Sequence, residues 1–432
     1  MILDPVTGVL KMKKPGLSLN RLFYFLYVLY LINGILAESQ YSLIQPYSTI
    51  LTVLRYIDLA AFAVLGVSRS SKMNKTRMML GVVALGITII TVLFYDGGIG
   101  PLFIIFILMA GKNRDLNAIF KTTVITVVAT YLFVILSSQV GIIPDNVGTR
   151  WIGNYAGSFF AGEYVRHAMG FLLSNQVPVT FLMVYILIIG WTKGNISLCL
   201  NTAFALINVY LFYNFGSRIV FVVTFIAIIV FYGIKIREKL GKVSKHKAGG
   251  HSILTFSFVG AAIISFAVSL LYTTRSSTLQ YLDIFFNHRI SMASEAIKYY
   301  GIHLIGMGKD AATYNGALNT VTVDNGYVSL FIQNGFVVGI IVIVALTYIT
   351  QKATYYKNRY ILWALVIFAA LNMINADLIS YRAIAWYCIL VNPQDELLVS
   401  DEVLLRKRKR RFSRKRAEHP GTATIASARR IQ

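Results

Sequence analysis

Long apolar runs recur along this chain, the longer ones reaching about 17–25 residues, and they constrain its fold more than any motif does. A run of that length crosses the ~30 Å hydrocarbon core of a bilayer as an α-helix, rising about 1.5 Å per residue. The runs lack the apolar/polar alternation of a transmembrane strand, which argues against a membrane barrel. Composition agrees. Of the 432 residues, 56% are hydrophobic and 14% charged, whereas about a quarter of a soluble domain is charged. The expectation is an all-α integral membrane protein with about 12 transmembrane helices.

The net charge is +23. A basic chain can bind nucleic acid, but here Lys and Arg gather in loops, as the positive-inside rule requires. The Arg406–Arg416 run reads as a cytoplasmic anchor that attracts anionic lipid, and no nucleic-acid partner is expected. Cys199 and Cys388 both lie in apolar runs and form neither a disulfide framework nor a zinc spacing.

Taken in order, residues 1–20 form a cytoplasmic N-terminus, 21–391 a polytopic domain, and 392–432 a basic cytoplasmic tail. Spans are expected near Leu22–Ala37, Pro46–Val67, Met78–Tyr95, Pro101–Gly111, Asn117–Val140 and Val177–Trp191. Further spans follow near Ser197–Phe215, Ile219–Ile234, Ser252–Tyr272, Tyr327–Thr350, Tyr360–Ala376 and, shortest, Ala383–Val391. Alternation from an inside N-terminus leaves two large loops outside, at about 141–176 and 273–326. Within the first, Ser158–Leu173 is expected to lie as a short amphipathic helix at the interface. Arg55 and Asp58 fall inside the second span, three apart and so on one face, either as a paired charge locking helices or as a cavity wall.

The outer side holds an unusual set of arginines: Arg166, Arg218, Arg289 and Arg382. Positive-inside pressure disfavours Arg there, and a guanidinium fork suits phosphate oxygens. Arg at a helix end also snorkels to lipid headgroups, which is the plainer alternative for each one alone. Asp324, where the second loop meets a span, is the best acid–base candidate, equally readable as a helix cap beside Asn325 and Tyr327. Glu295 comes next, although a solvated helix face explains it as well. His167 and His288 each adjoin one of the arginines and can serve as bases, a surface histidine being the commoner case. There is no Asp-x-Asp, HExxH, GxSxG, Cys-x-x-Cys or Walker motif.

Together these segments resemble a known family. An Arg-containing outer loop is followed by Gly216-Ser-Arg218 at a span end, then by Asn287-His-Arg289. Downstream comes Asp324-Asn-Gly-Tyr-Val-Ser-Leu-Phe-Ile-Gln-Asn-Gly-Phe-Val-Val-Gly339. The pattern is similar to that of the Wzy-type polysaccharide polymerases, whose wider clan includes the O-antigen ligases. The resemblance implies a GT-C-like membrane fold in a bacterial cytoplasmic membrane. It also implies a metal-independent glycosyltransferase that uses no cofactor and makes O-antigen, capsule or exopolysaccharide. Its substrates would be undecaprenyl-diphosphate-linked oligosaccharides, with membrane lipid, a chain-length regulator and a flippase as partners. On this reading Arg166, Arg218 and Arg289 hold the diphosphate leaving group, and Arg382, His167, Asn325 and Tyr327 contribute to binding. Asp324 deprotonates or orients the acceptor hydroxyl. Ligases usually carry a His where this chain has Asp324-Asn325, which fits a polymerase better and leaves the base open. The rivals are a ligase-like transferase and a lipid-linked oligosaccharide flippase. A transporter should gather its polar groups near the midplane on broken helices.

Overall fold

A computed structural model describes residues 2–3, 10–11, 17–70, 85–86, 89, 99–152, 162–239, 253–272, 276–306, 313–316, 319–392 and 397. The expected span at Met78–Tyr95, most of the N-terminal segment and nearly all of the basic tail lie outside these residues.

The architecture is all-α, with three short antiparallel strand pairs at its margins. The helices are α1 (Leu17–Ala37), α2 (Tyr47–Ser70), α3 (Gly100–Gly111), α4 (Leu116–Gln139), α5 (Gln176–Thr192), α6 (Leu198–Phe215) and α7 (Arg218–Lys239). They continue as α8 (Ser257–Leu271), α9 (Ser277–Phe285), α10 (Arg289–Tyr300), α11 (Gly326–Tyr355), α12 (Arg359–Leu371) and α13 (Ile384–Val391). The strands are β1 (Ile2–Leu3) with β2 (Leu10–Lys11), β3 (Val147–Ile152) with β4 (Gly162–His167), and β5 (Thr313–Gly316) with β6 (Asn319–Thr322).

Among the described residues seven helical segments are long and apolar enough to cross a membrane: Leu19–Ala37, Tyr47–Ser68, Leu116–Gln139, Leu198–Phe215, Arg218–Arg237, Ile253–Leu271 and Gly326–Tyr355. Shorter apolar helices lie at Gly100–Gly111, Gln176–Thr192, Arg359–Leu371 and Tyr381–Val391. Phe25, Val64, Leu132, Ile229 and Val344 leave large apolar side chains exposed on the long helices, as lipid-facing surfaces do. This is a membrane protein.

One core runs through the bundle, with Tyr27, Tyr185, Phe368 and Trp386 fully buried in it. α13 is wrapped almost completely, since Ile384 through Ile389 are all buried. The segment Tyr381–Val391 rises only about 16 Å, short of the ~30 Å hydrocarbon core. Small residues set the closest helix approaches: a Cβ on Gly66 of α2 would lie 3.1 Å from Met109 Cβ of α3.

Two expectations are corrected. The stretch from Ser158 to Leu173 is not an amphipathic helix in its described part. Gly162–His167 is a strand that pairs Gly148 with Arg166 and Val147 with His167. The β-branched Val165 suits a strand, and β3 supplies the partner. The helix expected from Tyr327 to Thr350 is broken at Gly335, whose φ is 82° and ψ 169°. Residues 303–306 enter the break. Phe336 N donates to the His303 carbonyl at 2.9 Å and Val337 N to the Leu304 carbonyl at 3.3 Å. The backbone freed by the kink is thus satisfied by protein, as buried irregular backbone in a membrane must be.

Candidate functional site

Arg218 is the first residue of α7 and Arg289 the first of α10. A cation there faces the positive end of the helix dipole, unfavourable by about 0.3–1 kcal/mol, and an anion in front of both relieves it. Successive contacts tie these arginines to their neighbours. Arg166, on β4, donates from Nε to the Phe215 carbonyl at 2.9 Å, and its side chain lies over Gly216 at the α6–α7 elbow. Gly216 takes φ +59° there, and a Cβ would come 3.2 Å from Arg166 Cγ. Two residues on, Arg218 Nη2 donates to Asn287 Oδ1 at 2.7 Å. Two residues beyond Asn287, Arg289 reaches Asp324 Oδ2 with Nε at 3.1 Å and Nη2 at 3.0 Å. Asp324 closes the line just before α11, where the Asn325 side chain caps the helix by accepting from Tyr327 N and Val328 N, each at 3.1 Å.

Asn287 and His288 have positive φ, 58° and 62°, a conformation uncommon for residues other than glycine though tolerated by Asn and His. That turn aims Asn287 at Arg218 and Arg289 at Asp324. It is held by Asp283, which sequence reasoning missed. Asp283 is 2% exposed; its Oδ1 accepts from Ile290 N at 3.0 Å and Ser291 N at 2.9 Å, and its Oδ2 meets His288 Nδ1 at 3.2 Å. Burial, and then the Asp283 charge, raise the nearby Tyr272 phenol above its ordinary range.

The same wiring recurs beside Arg166. Asp145 Oδ1 accepts from Ala168 N at 3.0 Å and Met169 N at 2.6 Å, and its Oδ2 meets His167 Nδ1 at 2.7 Å. In both places a carboxylate holds a histidine through Nδ1, which directs Nε2 away from the pair. Asp145 lies 22 residues from its histidine, a distance no local pattern reveals. Asp283 precedes His288 by only 5 residues and was open to recognition as a loop-anchoring Asp.

Three expected binding residues have other work. Arg382 is buried. Its Nε donates to Thr180 Oγ1 at 2.7 Å, Nη1 to Asp377 Oδ1 at 2.7 Å and to Glu38, and Nη2 to Tyr131 OH at 2.9 Å and to Glu38. With its donors consumed, it ties Glu38, just past α1, to Tyr131 of α4 and Thr180 of α5. Burial pushes the Glu38 carboxyl up, while Arg382 pulls it back. Tyr327 is fully buried with its hydroxyl donating to the Ala369 carbonyl at 3.0 Å, so it packs rather than reaching a ligand. Asn325 is 8% exposed and spends its carbonyl oxygen on the cap. His167, by contrast, keeps 40% of its side chain exposed, and Asp324 keeps 32%. Glu295 is exposed on α10, as a solvated face would be.

Asp58 is fully buried in α2, and among the described residues neither of its oxygens has a hydrogen-bond partner, so of the two readings the paired charge with Arg55 does not form. Among the described residues no three His, Cys, Asp or Glu side chains gather closely enough to hold a metal ion.

Set against protein-family models, curated proteins and solved structures, the chain matches none of them.

Proposed function

We propose that the chain is a membrane-embedded, metal-independent glycosyltransferase. It polymerises undecaprenyl-diphosphate-linked oligosaccharide repeat units at the outer face of a bacterial cytoplasmic membrane. With this goes the twelve-span topology with both termini inside, counting Met78–Tyr95 and the short Tyr381–Val391. The observation that carries the reading is the placement of Arg218 and Arg289 at two helix N-termini, linked through Asn287 and flanked by Arg166 and Asp324. A diphosphate is the ligand such an array of like charges suits.

In the proposed reaction the acceptor hydroxyl oxygen attacks C1 of the donor sugar. The C1–O bond to the lipid diphosphate breaks, and the diphosphate leaves with the bonding pair. Arg166, Arg218 and Arg289 stabilise the charge that develops on it. Asp324 takes the hydroxyl proton, through the carboxylate oxygen that Arg289 leaves unused, for a gain of about 10²–10⁴-fold.

A second reading, a lipid-linked oligosaccharide flippase, draws on the helix broken at Gly335 and the buried Asp58, features that transporters place near the midplane. Against it, residues 303–304 fill the break.

The test is a glycan size profile from cells carrying Arg289→Ala, with protein level matched. Loss of long polymer, with single lipid-linked repeats accumulating outside, is the expected result. Repeats trapped on the cytoplasmic side would mean a flippase. Long polymer that stays on its lipid carrier would mean a ligase.

A further inference from the structure

The far end of the bundle holds a cavity that the reaction above does not use. α6 carries Phe215 beside Arg166 at one end and Ser197 at its other cap, so the two ends lie about 27 Å apart. Around Ser197 a cavity of about 350 Å³ opens between the ends of α5, α6, α7 and α12.

Its lining has two characters. Ile189, Ile196 and Phe231 make apolar walls, and Leu198, Tyr232 and Ile236 form a rim that is 57%, 39% and 42% exposed on the lipid-facing surface. The polar groups inside are donors. Lys235 gives one of its three N–H groups to the Ile196 carbonyl, and the ammonium has two more. Asn201 is 7% exposed and accepts from Tyr185 OH at 2.7 Å through Oδ1. That bond occupies the amide oxygen and leaves Nδ2 as the side chain's donor at the cavity lining. The N-terminus of α6 adds its dipole, with Ser197 Oγ satisfying only Leu200 N.

We propose that this cavity binds the phosphate headgroup of an anionic phospholipid. The phosphate accepts from Lys235, Asn201 Nδ2 and the first amides of α6. The acyl chains leave over Leu198, Tyr232 and Ile236 into the bilayer. The exposed apolar rim favours a lipid over free phosphate, because only a lipid covers it. Arg237, exposed near the end of α7 one residue past Ile236 of the rim, adds a cation next to the cavity. The inference is independent of the activity proposed above.

The test uses the full-length protein in nanodiscs of equal size, made with phosphatidylglycerol or with phosphatidylcholine, followed by release and native mass spectrometry. Retained phosphatidylglycerol in preference to phosphatidylcholine is expected. Retention should fall about tenfold in Lys235→Gln and Asn201→Leu. Ile236→Trp lies at the exposed rim, closes the mouth without removing a buried contact, and decides the matter where Asn201→Leu fails to fold. Equal retention of both lipids, or wild-type retention in Lys235→Gln and Ile236→Trp, would overturn the site. Displacement of the lipid by millimolar inorganic phosphate would overturn the lipid assignment in favour of a free-phosphate site.

Discussion

Arg289 and Asp324 share a single carboxylate oxygen: Nε and Nη2 of the guanidinium both reach Oδ2, at 3.1 Å and 3.0 Å. The pair bridges 35 residues and joins the start of α10 to the loop leading into α11. It orients the cation and leaves Oδ1 for the acid–base role proposed above.

Asp324→Asn preserves the shape of this contact and removes the base. Polymer synthesis in membranes should fall by about 10²–10⁴-fold with protein level unchanged, since that is the usual contribution of a general base. Arg289→Lys should also lose most activity, because an ammonium cannot make the forked contact to one oxygen and still face an anion. Radiolabelled repeat-unit incorporation reads both. Near-wild-type incorporation in Asp324→Asn would leave Asp324 only a positioning role.

Asp283 anchors the two left-handed residues that present Asn287 and Arg289. Asp283→Ala strands Ile290 N and Ser291 N and releases the turn, at about 1–3 kcal/mol for each buried group left unpaired. Activity should drop as Arg218 and Arg289 lose their common link, while Asp283→Asn, which keeps one acceptor oxygen, should recover part of it. Thermal unfolding in detergent beside the incorporation assay separates the two effects. Equal behaviour of Ala and Asn would refute the anchoring role.

Gly335 takes φ 82° where residues 303–306 meet the broken helix, and a Cβ there would sit 2.4 Å from Gly306 N. Gly335→Ala is therefore expected to cost well over ~1 kcal/mol, through strain and through the opening of the close approach. Gly233→Ala is the control, since a Cβ at Gly233 meets nothing within 4 Å. Folded yield and melting temperature should fall for the first and hold for the second.

Arg382→Met should destabilise the protein by about 3–5 kcal/mol, because Glu38 and Asp377 lose the cation that compensates their burial. The loss should depend on pH. Without Arg382, the folded-state pKa of Glu38, already raised by burial, rises further above its unfolded value. Stability from such a group is present below the unfolded carboxylate range and is lost as pH rises through the folded pKa. Melting of Arg382→Met should therefore recover partly as pH falls from neutral toward the ordinary carboxylate range. A pH-independent deficit would contradict the assignment.

Much of the molecule was legible before any coordinates. Hydrophobic run length gave the all-α membrane class, because hydrocarbon leaves the backbone no other partner than its own helix. The same logic singled out Arg166, Arg218, Arg289 and Asp324, which the fold links through Phe215 and Asn287. Periodicity misled where tertiary contact decides. Gly162–His167 became a strand because β3 was there to pair with it, and Gly335 breaks α11 because residues 303–306 occupy the gap. Arg382 carried the same sequence signal as the other arginines. Only packing revealed that Glu38, about 340 residues away, consumes its donors.

The sequence by itself determined that the chain lies in a membrane, because that follows from transfer energies that each residue carries alone. The tertiary structure decided that Arg382 braces the bundle while Arg218 and Arg289 are linked through Asn287 and Asp324. It also paired Asp145 and Asp283 with their histidines. Those outcomes depend on what lies within about 3 Å in space, and separation along the chain does not encode that distance.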